Sequence, residues 1–280
     1  LNKIILSFQK KTKIIYIAGL GHSGSTFLQF LLASKANLVG LGEINQLATN
    51  NSLDSSLLCS CGANIGECEI WGKMCQFDKI DTSLWYEKLA NLLLEKYPQT
   101  DGWIDSSKQI KGISSWVEVK KKNDIKDIRV LFLVRDVRGW CISQQKNCAR
   151  KNLPQRSLLF YAGSWWNYQR QTLKKLKELE LNYKIVSYEN LVFKTESVLD
   201  DIFRFLELTP KDKTMLESPW EEMVHDVLGN RMKNNHKARL YITYDDSWHR
   251  SAKVNLLVPL LIPVWNLNKK LREEASYSGY

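Results

Sequence analysis

No apolar run in the 280-residue sequence is long enough to cross a bilayer. The best candidate, Val254–Leu267, falls short of the roughly 20 residues a spanning helix needs and contains Pro259 and Pro263. It reads as a buried terminal helix or a broken turn, with docking on a membrane surface as the competing reading. Lys3, Lys10, Lys11 and Lys13 interrupt the apolar residues at the start, so no signal-peptide pattern is present there and a cytoplasmic location is the expectation. Internal repeats are absent, so none argues against a single domain. Also missing are an aromatic-interleaved basic stripe, finger spacing and a long basic arm, the usual footprints of nucleic-acid binding. The net charge of +10, from 40 Lys+Arg against 30 Asp+Glu, is therefore not read as a nucleic-acid signal. Much of that excess lies in Lys120–Lys122 and Lys174–Lys177, which read as solvated helix faces.

What remains is the composition of a soluble globular protein, 44% apolar and 25% charged. Ile14–Ala18 is a β-branched run bounded by lysine and glycine, and so a first buried strand. Val39–Leu41, Gly102–Asp105, Val130–Val134 and Lys184–Ser187 read as further strands. Helical patterns start at Phe27 and cover Trp85–Tyr97, Cys141–Arg150, Leu158–Leu181 and Val198–Leu206, with a loop expected at Leu228–His236. Strands alternating with helices predict an α/β fold: a P-loop-like three-layer sandwich around a central parallel sheet. One domain over residues 1–280 is expected, with a cysteine-rich insertion or lid at about 45–80.

The strongest motif follows the first strand. Gly19-Leu-Gly-His-Ser-Gly-Ser-Thr26 has the register of a Walker A loop, G-x-x-x-x-G-K-[ST], but Ser25 stands where the lysine belongs. Glycines permit the tight turn and bring backbone N–H groups to an anion, and the following helix points its amino terminus there. Without that lysine, and with Asp136 flanked by Arg135 and Arg138 and so suited to salt bridges, the loop points away from ATP·Mg²⁺. His22 is the one side chain in the loop able to carry positive charge.

This loop resembles the 5′-phosphosulfate loop of the PAPS-dependent sulfotransferases (PAPS being 3′-phosphoadenosine 5′-phosphosulfate), which usually carry Arg or Lys at the place of His22. The resemblance runs from about Ile14 to Trp248 and is nearest to bacterial and tyrosylprotein-type members. It implies that Gly21, His22, Ser23, Gly24, Ser25 and Thr26 hold the phosphosulfate. Arg135, closing Phe132-Leu-Val-Arg135, and Ser143 eight residues on resemble the 3′-phosphate pair; an arginine fork suits phosphate. Arg138 reads either as a further phosphate contact or as a salt-bridge residue. Tyr188, in Tyr188-Glu-Asn-Leu191, is implied near the adenine, and Arg231, in Leu228-Gly-Asn-Arg-Met232, closes over the 3′-phosphate as part of an extension at about 220–280.

For chemistry the resemblance implies a metal-free in-line displacement at an acceptor hydroxyl. Glu43 is the base expected after the short second strand, with helix capping or pairing to a lysine as the competing reading. Lys108, in Asp105-Ser-Ser-Lys108, and His22 would neutralise the leaving group, with Asp105 orienting that turn. PAPS is the expected donor and PAP its product. The acceptor stays open among peptide tyrosine, carbohydrate, lipid and small molecule, as does the oligomeric state. The tail Tyr277–Tyr280 is a candidate self-substrate, against a disordered end. An atypical P-loop kinase or NTPase acting on ATP·Mg²⁺ and a non-catalytic nucleotide sensor are the rival readings.

Cys59, Cys61, Cys68 and Cys75 lack the paired C-x-x-C spacing of common zinc sites, and no metal ligand is assigned. The Cys68–Trp71 pattern also resembles bacterial sulfotransferases. Reduced lid cysteines, one or two disulfides and a metal remain open. His225, His236 and His249 fall late and read as loop structure or acceptor contacts, and Cys141 and Cys148 as core residues of one helix.

Overall fold

Thr12–Gly19, buried at all eight positions, forms β1 of a computed structural model that describes residues 12–50, 56–77, 81–123, 125–211, 223–229 and 244–276. A strand covered on both faces needs helices on either side of its sheet, and the chain supplies them in alternation. After β1 come α1 (Ser25–Lys35), β2 (Leu38–Gly40), α2 (Ile44–Thr49), α3 (Trp71–Met74) and α4 (Thr82–Lys96). Then follow β3 (Gly102–Lys108), α5 (Ile110–Lys122), β4 (Ile125–Val134), α6 (Val137–Arg150) and α7 (Leu158–Glu178). The remainder is β5 (Asn182–Ser187), α8 (Tyr188–Phe193), α9 (Thr195–Leu206), a 3₁₀ turn at Ser247–Arg250, α10 (Ala252–Leu260) and α11 (Ile262–Glu274). The parallel sheet has the order β2-β3-β1-β4-β5, and β2 pairs β3 with Val39 opposite Trp103. The α/β fold with a helix-flanked central sheet is thus the one the alternation predicts. In such a sheet the order reverses beside β1, and ligands bind outside the strands' carboxyl ends there.

The chain groups into two compact units: residues 1–16, 26–129 and 208–239, and residues 17–25, 130–207 and 240–280. The first is built around an aromatic core. Trp71 and Trp85 stack 6.4 Å apart, Trp116 meets Tyr86 edge-on at 5.0 Å, and Trp103 lies 6.1 Å from Trp116. All five rings are fully buried. Trp71 belongs to the cysteine-rich stretch, so that stretch contributes to the core of its unit. The segment at Met223–His225 continues the sheet edge beside β2: Gly40 N donates to Met223 O at 2.7 Å and His225 N to Gly40 O at 2.6 Å.

The second unit is centred on Val130–Val134, buried throughout. Helix α9 shows the expected stripe, with Leu199, Ile202, Phe203 and Leu206 buried at helical spacing. The stretch 254–267 is two short helices broken at Leu261, with Pro263 in the first turn of α11. Val254, Val258 and Val264 are buried while Leu256, Leu260 and Ile262 are exposed, so burial holds for one stripe only. No described helix is long and apolar enough to cross a membrane.

Several boundaries differ from the sequence pattern, three of them for a visible reason. β3 runs on through Ser106, Ser107 and Lys108, because a strand between two neighbours has both backbone edges paired and can bury serines. α6 begins at Val137 rather than Cys141, since the Asp136 carboxylate accepts from Arg138 N at 2.9 Å and caps it. α5 fills a stretch where only the lysines at its end had a helical reading.

Trp116 also donates its indole N–H to Asp105 Oδ2 at 2.8 Å. Trp116→Phe should therefore cost about 1–3 kcal/mol, mostly from the acceptor left unpaired. Urea unfolding should show a lower midpoint with an unchanged slope.

Candidate active site

In the second unit the turn after β1 is fastened from behind by its carbonyls. Tyr168 Oη donates to Gly19 O at 2.8 Å, Trp140 Nε1 to Gly21 O at 2.9 Å, and Arg135 Nη1 to His22 O at 3.0 Å. His22 holds a left-handed φ of 67°, a conformation that costs a side-chain-bearing residue energy and persists where surroundings impose it. At Gly24 the φ of 95° and the Tyr188 ring leave no room for a side chain; an added Cβ would lie 2.8 Å from that ring. Ser23 is buried in the turn, and Ser25 and Thr26, also buried, open α1. Among the described residues the Ser23 hydroxyl has no hydrogen-bond partner.

Arg135 stands at the end of β4 and is nearly fully buried. Its guanidinium lies 4.7 Å from the centre of the Tyr188 ring, and Tyr244 stacks on that ring at 6.1 Å. Nη2 donates to Asp245 Oδ2 at 3.1 Å, whereas Nε, also buried, has no partner among the described residues. Burial opposes ionisation of Asp245, but hydrogen bonds from Ser247, Lys146 and Arg135 outweigh it and hold the carboxyl below the usual range. Gly139 of α6 packs on Arg135 Nε, where an added Cβ would lie 3.2 Å away. Ser143 is one turn further along the same helix face. The turn, Arg135, Ser143 and Tyr188 are thus brought to one place.

Arg138 forms a salt bridge. Its Nε and Nη2 reach Asp136 Oδ1 and Oδ2 at 3.0 and 2.9 Å, and its guanidinium lies 4.0 Å over Trp248. Arg272 donates to the same carboxylate at 2.9 Å. Asp136 is therefore committed to arginines, as its flanks implied. Glu189 braces the same turn, accepting from Asp136 N at 3.0 Å and from the Ser187 hydroxyl at 2.9 Å.

The first unit brings Glu43 and Lys108 together as an ion pair, Lys108 Nζ on Glu43 Oε1, with Gln46 Nε2 donating to Oε2. Both side chains are largely shielded, 9% and 15% exposed. The lysine pairing expected as an alternative for Glu43 is present, and Glu43 makes no side-chain cap bond to α2. Two features set the carboxylate's position. Gly42, with a φ of 70°, packs on Asp226 where a side chain would collide, and its N–H donates to Gln29 Oε1 at 2.9 Å. On the other side, Ser107 Oγ accepts from Asn45 N at 2.8 Å while donating to Asp105. Lys108 itself has a left-handed φ of 67°.

Asp105 does orient this turn. It accepts from Ser107 N at 2.8 Å, Ser107 Oγ and Trp116 Nε1. Complete burial raises its pKa to about 7, against these hydrogen bonds and with help from the Glu43 charge. Arg231, His236 and Tyr277–Tyr280 lie outside the described residues.

Trp140, Tyr168, Asp245 and Gln46 carry no sequence signal of a role here. The first three lie 119, 149 and 110 residues from their partners in the site, and nothing local marks them.

A group whose folded pKa is raised binds its proton more tightly when folded. The Asp105 contribution to stability is thus complete below the unfolded value of about 4 and is lost as pH rises to about 7. Asp105→Asn, which keeps an acceptor without the ionisation, should flatten the decline of Tm between these values, measured by calorimetry from pH 4 to 8.

The chain's residues 15–212 match a family model described as the sulfotransferase family. The sulfotransferase domain from the curacin biosynthetic pathway superposes with a TM-score of 0.58 at 18% identity, covering 94% of this chain and 98% of that one. The sulfotransferase domain from the Synechococcus PCC 7002 olefin synthase gives 0.55 at 16% identity, covering 95% and 96%. At such identities these two speak for the fold. No curated protein matches the chain in sequence. With the family model spanning well over half its length, the chain belongs to the sulfotransferase family and is a sulfotransferase enzyme.

Proposed function

We propose that this sulfotransferase takes PAPS as its donor and moves the sulfonate to an acceptor hydroxyl, releasing PAP. The observation that carries the donor assignment is a pair of buried donors, Ser23 Oγ and Arg135 Nε, that have no partner among the described residues. Buried donors without acceptors are costly, and an anionic ligand with oxygens at both places relieves both. PAPS has that form, with a phosphosulfate at one end of an adenosine and a phosphate at the other.

In this reading Gly21–Thr26 hold the phosphosulfate through backbone N–H groups and hydroxyls at the start of α1. Arg135 and Ser143 hold the 3′-phosphate, joined by Arg231, and Tyr188 packs on the adenine. Bound PAPS supplies an already activated sulfonate. Glu43 accepts the hydroxyl proton as the acceptor oxygen bonds to sulfur and the bond from sulfur to the 5′-phosphate oxygen breaks. Lys108 and His22 stabilise the charge that gathers on that oxygen. Lys108 and Gln46, each on one oxygen of Glu43, hold the carboxylate in a defined orientation.

Calorimetric titration with PAP tests the donor site. The wild type should bind PAP without Mg²⁺, and Arg135→Ala should weaken binding about 10- to 100-fold, the worth of hydrogen bonds to a charged group. Failure of the folded wild type to bind PAP would overturn the donor assignment.

Two further variants separate the roles. Glu43→Gln should keep PAP affinity but lose about 10²- to 10⁴-fold in single-turnover transfer from PAPS. Equal loss of binding would assign Glu43 to the donor. Asp245→Asn removes a negative charge beside Arg135 and should tighten PAP several-fold at low salt, with the gain shrinking as salt is added.

A further inference from the structure

Cys59, Cys61, Cys68 and His225 converge in the first unit, with their four candidate ligand atoms all within 4.8 Å of one another. Cys61 Sγ and Cys68 Sγ are 3.9 Å apart, and Cys68 Sγ is 3.4 Å from His225 Nδ1. A tetrahedral zinc ion, with Zn–S of about 2.3 Å and Zn–N of about 2.0 Å, sets two sulfurs about 3.8 Å apart and sulfur and nitrogen about 3.5 Å apart. The two observed separations are those edges. A disulfide would need its sulfurs at about 2.0 Å, and Cys59, Cys61 and Cys68 are free thiols.

The backbone is shaped to aim these groups. Gly62, with a φ of 91°, turns the chain so that Gly62 N donates to Cys59 O at 3.0 Å and Cys59 N to Ala63 O at 2.9 Å. This tight knuckle presents Cys59 and Cys61 together, and Cys68 follows at the next turn, its N–H on Asn64 O at 2.9 Å. Cys59, Cys68 and His225 are buried and Cys61 half-buried.

The surroundings of His225 add an independent observation. With Nδ1 turned to the sulfurs, Nε2 faces Tyr97 Oη at 3.2 Å and Glu69 Oε1 at 3.5 Å, and Glu69 is itself paired with Lys96 at 2.7 Å. A zinc-bound histidine commonly gives its second N–H to a carboxylate, which fixes the ring. Trp71 Nε1 holds the His225 carbonyl at 2.6 Å.

We propose that Cys59, Cys61, Cys68 and His225 bind a structural zinc ion through three thiolates and His225 Nδ1. Four protein ligands close the coordination sphere, so the ion braces and leaves no position for a substrate. It would join the cysteine-rich stretch to the segment that hydrogen-bonds Gly40 and places Asp226 under Gly42, the residue before Glu43. Cys75 is exposed and outside the cluster, which makes it an internal control.

The test is metal analysis of the full chain, purified reduced and without chelator from zinc-supplemented cells. One zinc per chain is expected, and replacement by cobalt should give the thiolate charge-transfer and tetrahedral ligand-field bands. Cys61→Ser, chosen because Cys61 is the least buried ligand, should lose the zinc, and Cys75→Ser should keep it. Glu69→Gln, which leaves every ligand in place, should weaken zinc about 10- to 100-fold. Folded, reduced wild type that takes up no zinc or cobalt on titration overturns the proposal, as does a native disulfide joining two of the three cysteines. Neither result bears on the donor reading, which rests on PAP binding.

Discussion

Complete burial of β1 is the constraint from which the described structure follows. A strand with no exposed position can satisfy its N–H and C=O groups only through neighbours on both edges, and can cover both faces only with helices. β3 and β4 take those edges, and the alternation of strands and helices along the chain supplies the cover. The chain must then leave β1 by a short turn into α1, and a short turn at a strand end demands unusual backbone. The left-handed His22 and the side-chain-free Gly24 meet that demand, and Tyr168, Trp140 and Arg135 hold the carbonyls of the turn in place.

Buried aspartates brace the loops in both units. Asp136 gathers Arg138 and Arg272 and caps α6 directly after Arg135. Asp105 anchors Ser107 and Trp116 ahead of Lys108. Asp226 accepts from Gly229 N at 2.7 Å and packs beneath Gly42, ahead of Glu43. Each acid lies within one to three residues of a candidate site residue, or packs against its neighbour, and each spends its oxygens on the protein itself. That division of labour lets the residues assigned to chemistry be few, since their positions are set by groups that need not touch a ligand.

The cysteine-rich stretch shows how a region without periodicity can still be structural. It has little regular secondary structure, yet Trp71 stacks in the aromatic core and Cys59, Ile65, Cys68 and Ile70 are buried. Ser60 tethers it further, donating to Val224 O at 2.6 Å and accepting from Asp226 N at 2.8 Å. Contacts of this kind substitute for the backbone ladders that a helix or sheet would provide.

By itself the sequence determined the fold class and the turn after β1, because these depend on local pattern, apolar period and glycine spacing; Glu43, Lys108, Arg135 and Tyr188 became candidates through the resemblance of their motifs to those of sulfotransferases. Arg138 shows where local pattern stops, since its neighbours suited phosphate and salt bridge alike, and its ion pair with Asp136 and its place over Trp248 are features of the fold. The pairing of Lys108 with Glu43, the hold of Asp245 on Arg135 and the meeting of His225 with three cysteines were decided by tertiary structure. The partners in these contacts lie 65, 110 and, for Cys68 and His225, 157 residues apart in the chain. No periodicity spans such distances. A residue's chemical role at such a site is set by which groups the folded chain packs against it, and packing is a property of the whole fold.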